Sequence, residues 1–508
     1  MGIPNRRDFL KTAALGTFTI AQAGAVRSYA ANDVIRVGLV GAGVRTVELL
    51  RYGFAALPEA QIMGIAEPYK PWLVDAVTWT EYANAKVLIC EGCATCDLTD
   101  EQRKRMDDAI KPQTFDGHEE TLDALEGQLD AVVVDSPSHL HAEHVLAALD
   151  RGLHVYCVPP IALTTEDARR IVKKCREKDC FVLVADRFRY QDTHNLAMAY
   201  AHKQGYLGRI TQLVGEHHEG FSGRVEPERK LRVLEPGEEN VFGPHAFAQK
   251  WNPYLNSHLD AANGGALFTQ HAAAQLSLAN WFLQSAPVRI YADAGLEFYT
   301  DGRTAPDHLA LIADYELEPG AAGYLNAMEP YFRKREETPT PYTVRFVFSG
   351  SLDNLVRRIG TDVKGQLATL RVGTSPCTFF AEPSYGFSAL NPGPDTALFE
   401  RAMLKKGFLQ THSTPEGTHW TDRMREGYKL EPMRPAETSA VQSCMDFTDK
   451  VRNGGTPRVN QMDGLMTVAA IDAAIRSARK GRPVDIRQSD YAFDFETPPT
   501  GRYEAPPA

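Results

Sequence analysis

Residues 34–40, VIRVGLV, form a nearly continuous apolar run that meets Gly41 and Gly43, after which helical spacing begins. A short apolar run bounded by turn residues reads as a strand buried on both faces. The same unit recurs along the first third of the chain. Residues 60–66 are apolar and end at Glu67. Residues 131–134 are followed by a turn over 135–139 and a helix from His141. Residues 154–157 meet Val158, Pro159 and Pro160, and a helix follows over 166–178. A further β-rich run covers 180–190. Strands alternating with helices at this spacing predict a doubly wound parallel sheet over residues 32–186.

Beyond residue 186 the rhythm changes. A helix near 194–204 leads to a strand over 208–220, then to a long irregular insert over 221–263. Residues 264–284 return to helical periodicity, with Leu276 and Trp281 among the buried positions. Period-two alternation marks strands at 288–295, 308–317, 342–350 and 366–373, an open and largely antiparallel sheet. Residues 376–395 read as loop, 438–455 and 464–483 as two closing helices, and 486–508 as an extended tail. The expected fold class is α/β: an N-terminal Rossmann sheet and a C-terminal α/β domain over 187–485.

Composition narrows the function. The chain has 508 residues, 43% hydrophobic and 24% charged, with a net charge of −10 and a pI near 5.9. That balance carries no basic nucleic-acid footprint. Residues 1–31 hold the pair Arg6-Arg7, then Phe9, Leu10 and a weakly apolar stretch, and resemble a twin-arginine export signal. The expected destination is the periplasm. No later run is long and apolar enough to span a membrane. Eight cysteines are too sparse for a disulfide scaffold in this length. Cys90, Cys93 and Cys96 have the spacing of part of an iron–sulfur loop or of three zinc ligands. A fourth ligand is not evident, so no metal site is assigned.

The chemistry gathers at the ends of the first strands. Gly41 would make the tight turn after the strand, and Gly43 would let backbone approach a pyrophosphate. The third fingerprint position is Thr46 rather than glycine. Glu67 lies 24 residues beyond Gly43, suited to accept from a ribose 2′-hydroxyl and to repel a 2′-phosphate, which favours NAD over NADP. Gly41, Gly43, Val44, Arg45, Glu67, Ser136, His139, His141 and Pro159 are the candidate cofactor-binding positions.

The order of these motifs resembles the Gfo/Idh/MocA family, which includes glucose–fructose oxidoreductase and inositol dehydrogenase. VGLVGAGVR is similar to its nucleotide turn. DAVVVDSPSHLHAEHVLAALDRGLHVYCVPPIALTTEDARRIV is the closest piece, and GGALFTQHAAAQLSLANW resembles its substrate helix. The resemblance implies a nicotinamide-dependent oxidoreductase of a sugar or polyol, with an open sheet that often forms homo-oligomer interfaces. It also implies a Glu-Lys-Pro triplet whose lysine moves a proton. Here that triplet is Val158-Pro159-Pro160. The Asp and His expected on the substrate helix are likewise missing, and that helix shows Ser277 and an alanine run. The proton must move elsewhere. His271 and Tyr190 are the first catalytic candidates, with His217, His218 and His245 behind them.

Three readings follow. One is a periplasmic sugar or polyol oxidoreductase with tightly held NAD working in a redox-neutral cycle. Another is an inert binder of nucleotide or saccharide. The third is a metal-assisted hydrolase or lyase using the cysteines or the histidines of EHHEG, although on a strand His217 and His218 would face opposite ways.

Overall fold

The computed structural model describes residues 34–87, 98–202, 207–219, 254, 257–299, 303–325, 338–352, 358–366, 368–373, 377–381, 387–388, 391–392, 428–430 and 439–491. The export-signal segment, the cysteine triad, His245 and most of the 221–263 insert lie outside these residues.

The first sheet has six strands: β1 (Ile35–Val40), β2 (Ala60–Ala66), β3 (Gln113–Phe115), β4 (Ala131–Val134), β5 (His154–Cys157) and β6 (Val182–Val184). They run in the order β3-β2-β1-β4-β5-β6, all parallel. This is the doubly wound order, whose strand sequence reverses between β1 and β4 and opens a crevice at the strands' carboxyl ends. All four residues of β4 are buried, as a strand covered on both faces requires.

The second sheet is nine-stranded and centres on β7 (Ile210–His218), β8 (Arg289–Gly295), β9 (His308–Leu317), β10 (Tyr342–Ser351), β11 (Arg358–Gly365), β12 (Ala368–Val372) and β13 (Cys377–Ala381). Among the described residues only the β7–β10 pair is parallel; the other pairs are antiparallel. Strand β9 alternates buried and exposed positions, as one covered face demands. The sheet's exposed positions carry cross-strand ion pairs, Arg345–Asp314 at 2.8 Å between β10 and β9 and Arg371–Asp362 at 2.8 Å between β12 and β11. Strands β11 and β13 were not expected from the sequence. Residues 358–365 are polar at alternate positions, and β13 lies in a stretch that reads as loop.

The closing helices tie the two halves together. Helix Ser439–Asn453 packs with the π-helical turn Leu49–Gly53 and with β1, and Ala440, Cys444 and Phe447 are fully buried in the first core. The Tyr156 hydroxyl on β5 lies 2.8 Å from Ser443 Oγ. Residues 32–186 therefore do not close their own core; the chain returns to complete it. Helix Gln461–Lys480 begins with a capping box at Asn460 and Asp463 and packs against β8 and against helix Thr165–Glu177. Arg189 meets its Asp463 at 2.7 Å.

His144 and His194 are among the histidines buried in the neutral form. Burial, and then the neighbouring His118, lowers the pKa of His144 to about 3; burial lowers that of His194 to about 4. An unfolded histidine takes up its proton near 6.5, so between that value and the folded one the unfolded chain binds more protons. Stability from these groups is thus complete above about pH 6.5 and falls as pH drops, by about 1.4 kcal/mol per pH unit per histidine. Thermal unfolding midpoints should decline between pH 7 and 5, before the carboxylates titrate. A flat profile there would contradict this placement.

Candidate functional site

Four strand ends build the crevice. After β1 the chain turns at Gly41, whose φ is +93°. A Cβ at this position would lie 2.5 Å from the backbone of Asp135 and Ser136, so glycine is required for space as well as conformation. At Gly43 a Cβ would meet only Asp135, at 3.6 Å or more, and it stands before the short helix Val44–Glu48. Val44 opens that helix. Arg45 pairs with Glu48 at 2.6 Å.

The threonine at the third fingerprint position has a local reason. Thr46 donates to Asp135 Oδ2 from its backbone nitrogen and from its hydroxyl, each at 2.6 Å. The carboxylate at the end of β4 thereby holds the start of the β1 helix. Sequence reasoning passed over Asp135, because an acid in a loop carries no signal until the loop is placed.

Glu67 sits where the sequence put it, at the end of β2, but it faces inward. It is fully buried and accepts from Ala42 N at 2.8 Å, Tyr69 N at 2.8 Å and the Tyr254 hydroxyl at 3.0 Å. Burial raises its pKa, while these donors pull it down. Tyr254, beside Trp72, supplies a hydroxyl to the same carboxylate that would receive a ribose.

The loops after β4 and β5 are tied by one imidazole. His141 is buried, with Nδ1 2.6 Å from the Pro160 carbonyl and Nε2 2.6 Å from the Ser136 carbonyl. Burial lowers its pKa and the two carbonyls raise it. Only a protonated ring donates to both; a neutral one donates to one. Ser136 Oγ lies 2.8 Å from His144 Nδ1, and a neutral His144 can accept there. His139 keeps a buried Nδ1 without a partner, and burial lowers its pKa against the pull of Asp260. Val158 is half-buried and Pro160 buried around Pro159, so the turn keeps its shape with no ionisable side chain.

The proton-handling candidates separate. Tyr190 is fully buried and its hydroxyl donates to Asp446 at 2.7 Å. Burial, then Asp446, drives its pKa well up. That is a packing position with no open side toward the crevice. Ser277 donates to Asp186, just past β6, and so fastens the substrate helix Ala273–Leu283 to the first domain. His218 turns to Ser351 Oγ at 3.0 Å. His217 turns the other way, as alternation along a strand requires.

His217 meets His271. Their rings are parallel, 3.6 Å between centroids and 8° between planes. Glu219 Oε2 is 3.4 Å from His217 Nε2. His271 stands in a π-helical turn, Leu267–Ala272, that precedes the substrate helix. Such turns shift side-chain register and favour functional sites. The turn begins beside the β5 loop, since a Cβ on Gly264 would lie 3.8 Å from Leu163. Burial, then His217 and His258, pushes the His271 pKa well below 6.5. The cluster thus holds a neutral His271 imidazole near an acid.

The comparisons with known proteins agree with this architecture. Residues 35–186 match the model of an oxidoreductase family with an NAD-binding Rossmann fold. The chain is 34% identical over 96 residues to levoglucosan dehydrogenase of Pseudarthrobacter phenanthrenivorans, covering 18% of this chain and 24% of that protein. The chain thus aligns with about a quarter of that relative's length. Over its fold it is similar to the aldose-aldose oxidoreductase of Caulobacter crescentus complexed with glycerol, with a TM-score of 0.56 at 16% identity, covering 89% of this chain and 99% of that one. It is equally similar to a levoglucosan dehydrogenase in complex with NADH and levoglucosan, with a TM-score of 0.56 at 16% identity over 90% and 100% of the two chains.

Two substitutions check the geometry. Gly41→Ala forces a side chain into the Asp135 backbone and should destabilise the fold by more than about 1 kcal/mol. It should also abolish nucleotide retention, read by thermal unfolding and by mass spectrometry of released nucleotide. Tyr190→Phe should lower stability by about 1 kcal/mol through the lost Asp446 bond and leave the pH profile of any turnover unchanged. A shifted profile would restore Tyr190 to the chemistry.

Proposed function

The chain belongs, through residues 35–186, to the Gfo/Idh/MocA oxidoreductase family, and from that premise we propose that it is a nicotinamide-dependent oxidoreductase of a sugar or polyol. The observation that carries the reading is the pairing of a glycine turn at the switch point with a cluster of two histidines and a carboxylate on the neighbouring sheet. The turn fits a dinucleotide: Gly41 packs against the Asp135 backbone with no room for a Cβ, and Gly43, just before the helix Val44–Glu48, would let backbone approach the phosphates. NAD suits the site better than NADP: Glu67 and Asp135 place two carboxylates by the β1 turn, and a 2′-phosphate would add to their repulsion. A bound ribose would take the place of the Tyr254 hydroxyl on Glu67.

The nicotinamide, when bound, exchanges the hydride with a carbinol carbon. The remaining proton, from the carbinol oxygen, falls to the chain. With Pro159 in the lysine position, the His217–Glu219–His271 cluster is the group able to receive it. In the second half of a cycle the same cluster returns the proton as a second carbonyl is reduced. A redox-neutral cycle fits a tightly held cofactor in the periplasm, the destination that the paired arginines favour. The aldose-aldose oxidoreductase of similar fold has a name that describes such a cycle. The homo-oligomer expected for this sheet belongs to the same proposal.

The test is direct. The mature chain, purified without added nucleotide and denatured, should release close to one NAD or NADH per chain. Under anaerobic conditions an aldose or polyol should generate NADH absorbance, and a second sugar should discharge it. Glu219→Gln and His271→Asn should each slow turnover by roughly 10²–10⁴-fold with nucleotide content unchanged. Release of NADP would overturn the role given to Glu67. Full nucleotide with no reduction by any sugar would favour the inert binder.

A further inference from the structure

We infer that His217, His271 and Glu219 form a binding site for a divalent transition-metal ion. The inference builds on the same cluster as the proposed function and concerns what occupies it. One imidazole comes from the central strand β7, the carboxylate from the residue just past that strand, and the other imidazole from the π-helical turn. A ligand atom from each of the three lies within 4.8 Å of the other two. A tetrahedral ion with bonds of 2.0–2.1 Å spaces its ligand atoms by about 3.3 Å. The His217–Glu219 contact, at 3.4 Å, already has that spacing. The two rings lie face to face, so a turn of one ring about its χ2 angle must aim both nitrogens at a common point.

Two further observations favour a cation here. His271 keeps a buried Nδ1 with no hydrogen-bond partner. Leaving such an atom unsatisfied is costly, and coordination would satisfy it, while His217 would ligate through the Nε2 that already faces Glu219. The set is also rigid and not sealed. Glu219 donates its backbone N–H to Ser351 O at 3.1 Å, extending the β7–β10 ladder, while the His217 and Glu219 side chains retain 12% and 19% exposure. Two imidazoles and one carboxylate leave coordination positions open, the arrangement of catalytic rather than structural sites. An ion there would act as a Lewis acid on the carbinol or carbonyl oxygen of a sugar, and so serve where the lysine is replaced by Pro159.

The experiment uses the full mature chain, prepared without a polyhistidine tag and without chelator. Zinc is titrated against a competing chelator dye at pH 7, metal content is measured by mass spectrometry, and the cobalt-loaded chain is examined by absorption. One equivalent of zinc should bind. His217→Ala, His271→Asn and Glu219→Gln should each weaken it by more than the roughly 10–100-fold that loss of a supporting partner costs. Nucleotide content should stay unchanged, which shows that the variants are folded. Cys93→Ser/Cys96→Ser should leave the affinity unaltered, and the cobalt spectrum should lack a thiolate charge-transfer band. Absence of zinc binding, equal binding by the three variants, or a thiolate band overturns the inference. Undiminished sugar-driven NADH formation after the metal is stripped overturns its place in the reaction while leaving the oxidoreductase reading intact. Metal bound as described in a chain that no sugar reduces does the reverse.

Discussion

The crevice depends on how closely β1 and β4 approach at their carboxyl ends. Gly41 can pass the backbone of Asp135 and Ser136 only because it has no side chain. That approach sets up a chain of polar contacts across four loops. Glu67 after β2 holds Ala42, Asp135 after β4 holds Thr46, and His141 joins the Ser136 and Pro160 carbonyls. Each link is buried or nearly so, where an unmatched polar group is expensive. The loops are therefore fixed relative to one another before any ligand arrives, the preorganisation a nucleotide site requires.

Much of this architecture was legible in the sequence. The apolar runs at 34–40, 60–66, 131–134 and 154–157 became strands of a parallel sheet, because strands covered on both faces have no polar alternation to blur them. Strand β11 escaped notice because its buried positions are few. The substrate helix was expected, but the π-helical turn before it was not: hydrogen-bond register leaves little trace in residue type. The return of helix Ser439–Asn453 to the first core could not be read either, since its apolar face fits any partner.

The site was legible by position more than by partner. Gly41 and Gly43 follow β1 and Glu67 follows β2, the strand ends the sequence predicts for them. What escaped was that Glu67 turns inward to Ala42 and Tyr254, a contact between residues 187 apart in sequence. Tyr190 was a first catalytic candidate; its hydroxyl donates to Asp446, 256 residues away. His217 and His271 were both singled out, and alternation separated His217 from His218. Their meeting face to face needed the fold.

The vacant lysine then has a physical counterpart. A lysine in the β5 turn would be a cation at the crevice floor, close to the hydride-transfer position. Proline there removes both the charge and a backbone donor, yet His141 still ties the turn to the β4 loop through the Pro160 carbonyl. The turn's shape is thus separable from its chemistry. The second sheet carries its own titratable group, on a central strand and a π-helical turn, where a carboxylate accompanies two imidazoles. A lone lysine can hold only one proton for its substrate. A cluster of two imidazoles and a carboxylate can receive a proton, return it, or hold a cation that polarises the same oxygen. On the proposed reading, proline in the lysine position is then a change in how the oxygen would be held, with the shape of the turn left in place.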